Sequence, residues 1–494
     1  MPSVCQTVGL TLLSLASVGR RVIAQGDVAD CDTLLAKIEN GTSVTLTDDF
    51  ECTMSISISS ENEIEVQGQG KTITIKTSDT SNFEKDSLFV NEGTFDLHDT
   101  ILKDDDEEDG TASGVRGIYN GGTLNVYGSE FHNLNVRQKE DLRLKKGGVI
   151  LSEGAEVVVE NSQFHSNMAS EFGGAICMWT GELEVRDSSF QQNEVSKENT
   201  EDGVGQGGDI YVANDVALSV YSTSFSSSSA DFAGASIKCC GATINNCNFT
   251  SIETYLEGES YGALVSGLPG ETQYCEAELK VLDSHFTSCS TASTTGKGGA
   301  LAIFNTATSI ENTKIMRSKG TAMVFETDDG EGSHTLQLTS VEFYENTDGS
   351  DSYDSEDLQE QGTALAIINN VHLDQTSVSG EANLENIYCY ANDPYECEIV
   401  YHGITLDSNE ELKCQVCSID GDRQWLDDDV EEDEPEVETR ESDDGVDSTS
   451  QALIIGLSVA LGCTFVVIAV LAAYKISARK NARRLMEEMR ESDL

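Results

Sequence analysis

Between about residues 40 and 390, apolar and polar side chains alternate in short runs. Val157 and Val159 alternate with Glu156, Val158 and Glu160; Leu183 and Val185 alternate with Glu182, Glu184 and Arg186. Leu218 and Val220, Leu279 and Val281, and Leu336 and Leu338 repeat the pattern. A period of two predicts strands with one face inward and the other in water. No long helical period intervenes, so the chain reads as all-β. One short helix is predicted, over Asp32 to Glu39, as a cap on the first turn of strands.

A phrase recurs through these strands: Phe-x-x-Asn, a short loop, Gly-Gly, then an apolar run. It is clearest at Phe164, Asn167, Ala169, Gly173, Gly174, Ala175 and Ile176. Other copies centre on Phe131, Phe190, Phe225, Phe249, Phe286 and Phe343. From Gly to the next Phe the distance is 17, 17, 18 and 15 residues, starting at Gly147, Gly173, Gly207 and Gly234. From Phe to the next Gly it ranges from 9 to 17. The near-constant half is what ladder pairing demands, because a one-residue slip would turn the apolar set outward. The variable half marks loops along one edge, where function is expected. A unit this short cannot bury its own apolar face, so copies must stack. Short strands and glycine turns at this period predict a parallel β-helix, with the repeat Phe stacked in the core. Asn167, Asn193 and Asn346 recur at one turn position, where they are expected to bond neighbouring backbone in a ladder.

The Gly-Gly-Ala-Ile and Phe-x-x-Asn phrases resemble the polymorphic outer membrane protein repeats, within the right-handed β-helix (pectin lyase-like) superfamily. Upstream, Gly68-Gln69-Gly70-Lys71-Thr72-Ile73 resembles the opening turns of that superfamily. The resemblance implies a right-handed coil and, from the surface proteins that carry such repeats, adhesion. It also admits lyases, hydrolases and epimerases of polysaccharides. Asp393-Pro394-Tyr395-Glu396 is similar to the Asp-Pro-His-Glu phrase of alginate epimerases, but Tyr395 stands in the place of the catalytic His.

Outside the solenoid the chain reads as a type I membrane protein. Residues 1–24 have the apolar stretch and small-residue cleavage site of a signal peptide. Residues 25–60 form an N-terminal cap and first turns, 61–388 the β-helix, and 389–418 a Cys-rich C-terminal cap. Residues 419–450 are an acidic stalk: Asp420 to Asp447 holds 15 Asp or Glu, opposed by Arg423 and Arg440. Residues 452–474 carry no charge and are long enough to span a bilayer. The basic tail 475–494 follows, which by the positive-inside tendency places it in the cytosol and the rest outside or in a lumen. The expected location is therefore the cell surface or a secretory-pathway endomembrane.

Of 14 cysteines, Cys5 falls in the leader and Cys463 in the span. The remaining twelve (Cys31, Cys52, Cys177, Cys239, Cys240, Cys247, Cys275, Cys289, Cys389, Cys397, Cys414 and Cys417) are disulfide candidates in an oxidising compartment. Cys31 and Cys52 are expected to staple the start, and Cys389, Cys397, Cys414 and Cys417 the C-terminal end. Zinc is the lesser reading of Cys414-x-x-Cys417. Asn40 and Asn248 head sequons and are glycosylation candidates.

Net charge is −57. Setting aside the tail's six basic and four acidic residues and the leader's Arg20 and Arg21 leaves 83 acids against 22 bases, about −61. That excludes nucleic acid as a partner and gives a solvated exterior that keeps rods from joining edge to edge. Asp348, Asp351, Asp354 and Asp357 are calcium candidates, though without the spacing of a defined calcium loop. No other cofactor is expected, and no residue is assigned as catalytic. His132 and His165 read as surface residues. The expected role is non-enzymatic: adhesion, or recognition of a glycan or protein through the loop edge. The alternative is a membrane-tethered polysaccharide lyase, hydrolase or epimerase.

Overall fold

Strand after strand, the alternating runs stack in parallel register to form a parallel β-helix. The computed structural model describes residues 26–423, apart from 77–81, 106–113, 137–145, 197–204, 256–259, 269–274, 292–297, 328–333, 347–364, 369–370, 382–386, 391–396, 402–403, 406–412, 416 and 420–421. Side chains are described through residue 346, His334 excepted, and at Leu365 and Ala366. The chain divides into two compact units, Met1–Asp427 and Asp428–Leu494, and all described residues belong to the first. The expected span 452–474, the stalk beyond Arg423 and the leader lie outside the described residues. Among the described residues, no helix is long and apolar enough to cross a membrane.

One turn shows how the sequence builds the coil. Glu156–Glu160, Gln163–His165, Met168–Ala169 and Ile176–Met178 pair in parallel with Glu182–Arg186, Ser189–Gln191, Glu194–Val195 and Ile210–Val212 of the next turn. The register sets Val157 against Leu183, Val159 against Val185 and Phe164 against Phe190. Turns stacked this way form three sheets of 25, 13 and 5 strands among the described residues. Every pairing between the described strands is parallel except the closing Cys417–Ile419 with Asp422–Arg423. Crossovers joining parallel neighbours of one sheet are right-handed in nearly every known case, because a right-twisted strand packs back onto its sheet only that way. Parallel pairing begins at Gly26 with Val44 and continues to Ile419, so turns precede residue 61 and follow residue 388.

The repeat Phe form one column in the core. Phe131, Phe164, Phe190, Phe225, Phe249 and Phe286 are fully buried, with successive ring centroids 4.8, 4.6, 5.1, 4.7 and 4.5 Å apart. Leu102 precedes them by register, and Ile315 and Phe343 continue the column.

Each corner has its own chemistry. Two residues before the Phe sits a hydroxyl: Ser129, Ser162, Ser188, Thr223 and Ser284, with Cys247 in the series. Ser162 Oγ donates to its own Glu160 carbonyl (2.9 Å) and accepts from the Ser129 amide one turn away (3.2 Å). Ser188 and Thr223 repeat the arrangement. The preceding residue is left-handed, as at Asn161 (φ 51°), Asp187 (φ 48°) and Asp283 (φ 49°), which suits Asn and Asp. Three residues after the Phe, Asn193 Oδ1 accepts from the Asn167 amide (3.0 Å) and Asn193 Nδ2 donates to the Phe164 carbonyl (3.1 Å). Asn346 makes the same pair of bonds to the Ser318 amide and the Ile315 carbonyl, both at 3.0 Å. The expected asparagine ladder is therefore present at these positions.

At the third corner Gly173 takes φ 62°, and the Gly174 backbone meets the next turn. A Cβ on Gly174 would stand 2.1 Å from the Gly208 carbonyl oxygen. Gly174→Ala is expected to cost about 1–3 kcal/mol, because the obstacle is backbone that cannot swing away. Urea unfolding midpoints of the two proteins check it; equal midpoints would show the corner able to open.

The N-terminal end is closed by the predicted helix, which runs Cys31–Glu39. Asp30 caps it, its side chain accepting from the Thr33 amide at 2.8 Å. Leu34 and Ile38 plug the first turn. The expected Cys31–Cys52 disulfide fastens this cap, and Cys240–Cys275 is a second bridge. Cys177, Cys239, Cys247 and Cys289 are buried free thiols, which corrects their reading as disulfide candidates. Stacking explains the outcome. Cys177 lies between Leu151 and Tyr211, Cys239 beside Ser266, and Cys247 in the hydroxyl series under Ser284. None of these three has a cysteine at the adjacent register position.

Candidate functional site

In the second sheet each three-residue strand turns its first and third side chains inward and its middle one outward. The outward column runs Tyr119, Leu151, Cys177, Tyr211, Lys238, Val265 and Ala302 by register. An outward column is ordinarily wet, yet Leu151 is 5 % and Cys177 0 % exposed. They are covered by aromatic side chains from the corners on either side.

Two such covers exist among the described residues. In one, Tyr261 packs edge-on between Phe232 (5.3 Å) and Phe304 (5.1 Å) over Val265 and Ala302. Tyr261 and Phe304 are each 1 % exposed, so this cover is closed. The other is open. Phe172 precedes Gly173, and Trp179 follows the strand Ile176–Met178. Phe172 meets Tyr211 at 4.5 Å and Trp179 edge-on at 5.6 Å, and Trp179 lies 5.5 Å from Tyr211. All three rings are half-buried.

Polar groups surround these rings. Lys146 Nζ lies 4.3 Å from the Trp179 ring centre and 5.8 Å from that of Phe172, a cation over aromatic faces. Tyr119 donates to Glu153 Oε2 at 2.8 Å, and Lys85 Nζ stands 5.0 Å from the Tyr119 ring. Burial, and then the Glu153 carboxylate, hold the Tyr119 phenol protonated well above its ordinary range. The Cys177 thiol beneath is pushed up to about 12 by burial, which makes it inert as a nucleophile. The patch therefore offers ring faces, a cation and a carboxylate, without an activated nucleophile.

This patch adjoins the edge at which the sequence places function. Lys146, Phe172, Gln206, Ala233 and Tyr261 form a bridged column immediately before the glycine corner, where the variable segments return. Sequence reasoning missed the patch because its aromatics occupy different repeat positions. The one available signal was Trp179, one of two tryptophans in the chain.

The outer face of the first sheet carries charged columns. His98 stacks on Tyr127 at 4.8 Å, and its Nε2 lies 3.7 Å from Glu65 Oε1. Asn125 donates to Asp96 Oδ1 at 2.7 Å, and Arg186 pairs with Glu184 while lying 5.2 Å from the Tyr221 ring centre. His132 and His165 neighbour each other at 5.9 Å, with His132 Nε2 3.1 Å from Glu130 Oε2. Among the described residues no group of three or more His, Cys, Asp or Glu is arranged to hold a metal ion. Asp348, Asp351, Asp354, Asp357 and the Asp393–Glu396 phrase lie outside the described residues. The sequon residues Asn40 and Asn248 are both exposed.

No family model matches the chain, and no curated protein matches it. Among solved structures the chain is similar to Dettilon tailspike protein, at 11 % identity and a TM-score of 0.31, over 78 % of this chain and 64 % of that one. The chain thus spans slightly under two thirds of the tailspike's length. It is also similar to a double mutant of the periplasmic alginate epimerase AlgG, at 9 % identity and a TM-score of 0.26, covering 80 % of this chain and 84 % of that one. Likeness at this level carries no argument about activity, and the assignment of a parallel β-helix rests on the strand pairing itself.

Proposed function

We propose that this chain is a single-pass type I surface or endomembrane glycoprotein whose β-helix recognises a glycan without turning it over. The observation that carries the proposal is the open aromatic cover of Phe172, Trp179 and Tyr211 beside Lys146 and Glu153. Half-buried aromatic rings at the surface suit the C–H faces of sugar rings, while a cation and a carboxylate suit hydroxyl groups. Over Val265 the same column is sealed by Tyr261 and Phe304, so the opening at Trp179 is not imposed by the fold. The membrane span, the leader and glycans at Asn40 and Asn248 belong to the same proposal. Calcium is proposed as an optional bridge between the acidic exterior and an anionic polysaccharide.

The test is retention of the full-length chain on neutral and anionic polysaccharides, with and without calcium, scoring new chain ends in the same samples. Trp179→Ala is expected to weaken retention about 10-fold, as loss of a central aromatic anchor does, while the unfolding midpoint stays close to that of the parent. Retention unchanged by Trp179→Ala would remove the patch from the interaction. The second reading, a polysaccharide-modifying enzyme, draws on the carboxylates beside His98 and Arg186 on the outer face of the first sheet. New chain ends, or epimerised residues, would establish it in place of the first.

A further inference from the structure

The last two described turns set four cysteines at paired register positions. Ile387–Tyr390 and Lys413–Gln415 are neighbours in the second sheet, and their register sets Cys389 opposite Cys414. Cys397–Tyr401 and Cys417–Ile419 are neighbours in the first sheet, and their register sets Cys397 opposite Cys417. We infer that Cys389 bonds Cys414 and Cys397 bonds Cys417, two rungs that fasten the same pair of turns in two different sheets.

Geometry and register both favour this pairing. Adjacent parallel strands lie about 4.8 Å apart, inside the roughly 4.4–6.8 Å over which Cα atoms of a disulfide are found. The chain's two established bridges have Cα–Cα distances of 5.3 and 5.1 Å. Cys389 continues the column of buried Ile303 and Phe325 through Ile367. Cys397 shares its alternation with Ile399, which continues the column of buried Leu336 through Leu373. The free thiols Cys177, Cys239 and Cys247 are the contrast: Leu151 and Tyr211 flank Cys177, Ser266 adjoins Cys239, and Thr223 and Ser284 adjoin Cys247. Four cysteines allow three connectivities, and register selects one. The bridges also fasten the last described turns, beside the acidic block that begins at Asp420.

Each bridge forms when two thiols give up two protons and two electrons to the disulfide of an exchange partner, which is itself reduced to a dithiol. The pairing therefore rests on the extracytosolic placement proposed above. The test is a disulfide map of the full chain made in an oxidising secretory host, alkylated before lysis and digested without reduction. Linked peptides joining Cys389 to Cys414 and Cys397 to Cys417 are expected. In a second arm, Cys389→Ser should expose one new thiol, at Cys414, and Cys397→Ser one at Cys417. A new thiol at any other position, or thiols that react only after a zinc chelator is added, would overturn the pairing. Cys31–Cys52 and Cys240–Cys275 serve as internal references. Four free C-terminal thiols beside intact references overturn the pairing alone; free thiols at Cys31, Cys52, Cys240 and Cys275 as well overturn the compartment.

Discussion

Phe225→Ala is expected to destabilise the β-helix by about 3–5 kcal/mol. The ring is fully buried, stacked 5.1 Å from Phe190 and 4.7 Å from Phe249. Its removal leaves a cavity bounded by two rings that ladder pairing holds in place, and it also deletes two stacking contacts worth about 0.5–1.5 kcal/mol each. In a solenoid each turn touches only its neighbours, so a break in the middle is not shared by distant turns. Phe225→Leu separates the contributions. Leu102 and Ile315 occupy the same column by register, so an aliphatic side chain fits there. Phe225→Leu should recover most of the loss, leaving a remainder close to the stacking contribution. Denaturant unfolding of the three proteins checks this; a loss below about 1 kcal/mol for Phe225→Ala would place the ring outside a packed core.

The features legible in the sequence share one property: they repeat at a fixed offset. Phe164 and Phe190, Gly174 and Gly208, and Asn167 and Asn193 recur because every turn needs the same ring, the same close approach and the same bond to a neighbour's backbone. The hydroxyl corner repeats as well, but Ser188, Thr223 and Cys247 answer one requirement with three residue types. What could not be read depends on which turn lies next to which. Lys146, Phe172, Trp179 and Tyr211 meet only after turns of unequal length are stacked. The free thiols follow the same logic, since whether a cysteine finds a partner depends on register and not on count. Asp209 is the remaining case. It sits where other copies of the phrase carry Ala175, Ala263 or Ala300, and that exchange of a methyl for a carboxyl was visible in the chain.

Asp209 makes stability depend on pH in a direction opposite to that of an ordinary carboxylate. The residue is fully buried. Its Oδ1 accepts from Asn193 Nδ2 (2.8 Å) and Ser228 Oγ (2.7 Å), and its Oδ2 accepts from Ser236 Oγ (2.6 Å). All three partners are neutral. Burial pushes the carboxyl up to about 7 from an ordinary 3.8, against the smaller downward pull of the three hydrogen bonds. Below 3.8 both the folded and unfolded chains hold the proton. Between 3.8 and about 7 only the folded chain does, so its stability falls as pH rises through that window, and above about 7 the loss is complete. A gap of roughly three units corresponds to about 4 kcal/mol. Asp209→Asn removes the titration while keeping the shape, since the new amide can donate to Ser236 Oγ, a hydroxyl that also accepts. The variant is expected to match the parent within about 1 kcal/mol at pH 4 and to exceed it by up to about 4 kcal/mol at pH 8. Taking the difference between the two proteins at each pH cancels the background from the chain's other acidic groups. Denaturant midpoints at the two pH values measure it directly. Curves that stay parallel would mean that Asp209 ionises as an ordinary carboxylate, and with it that the corner after Gly208 admits water.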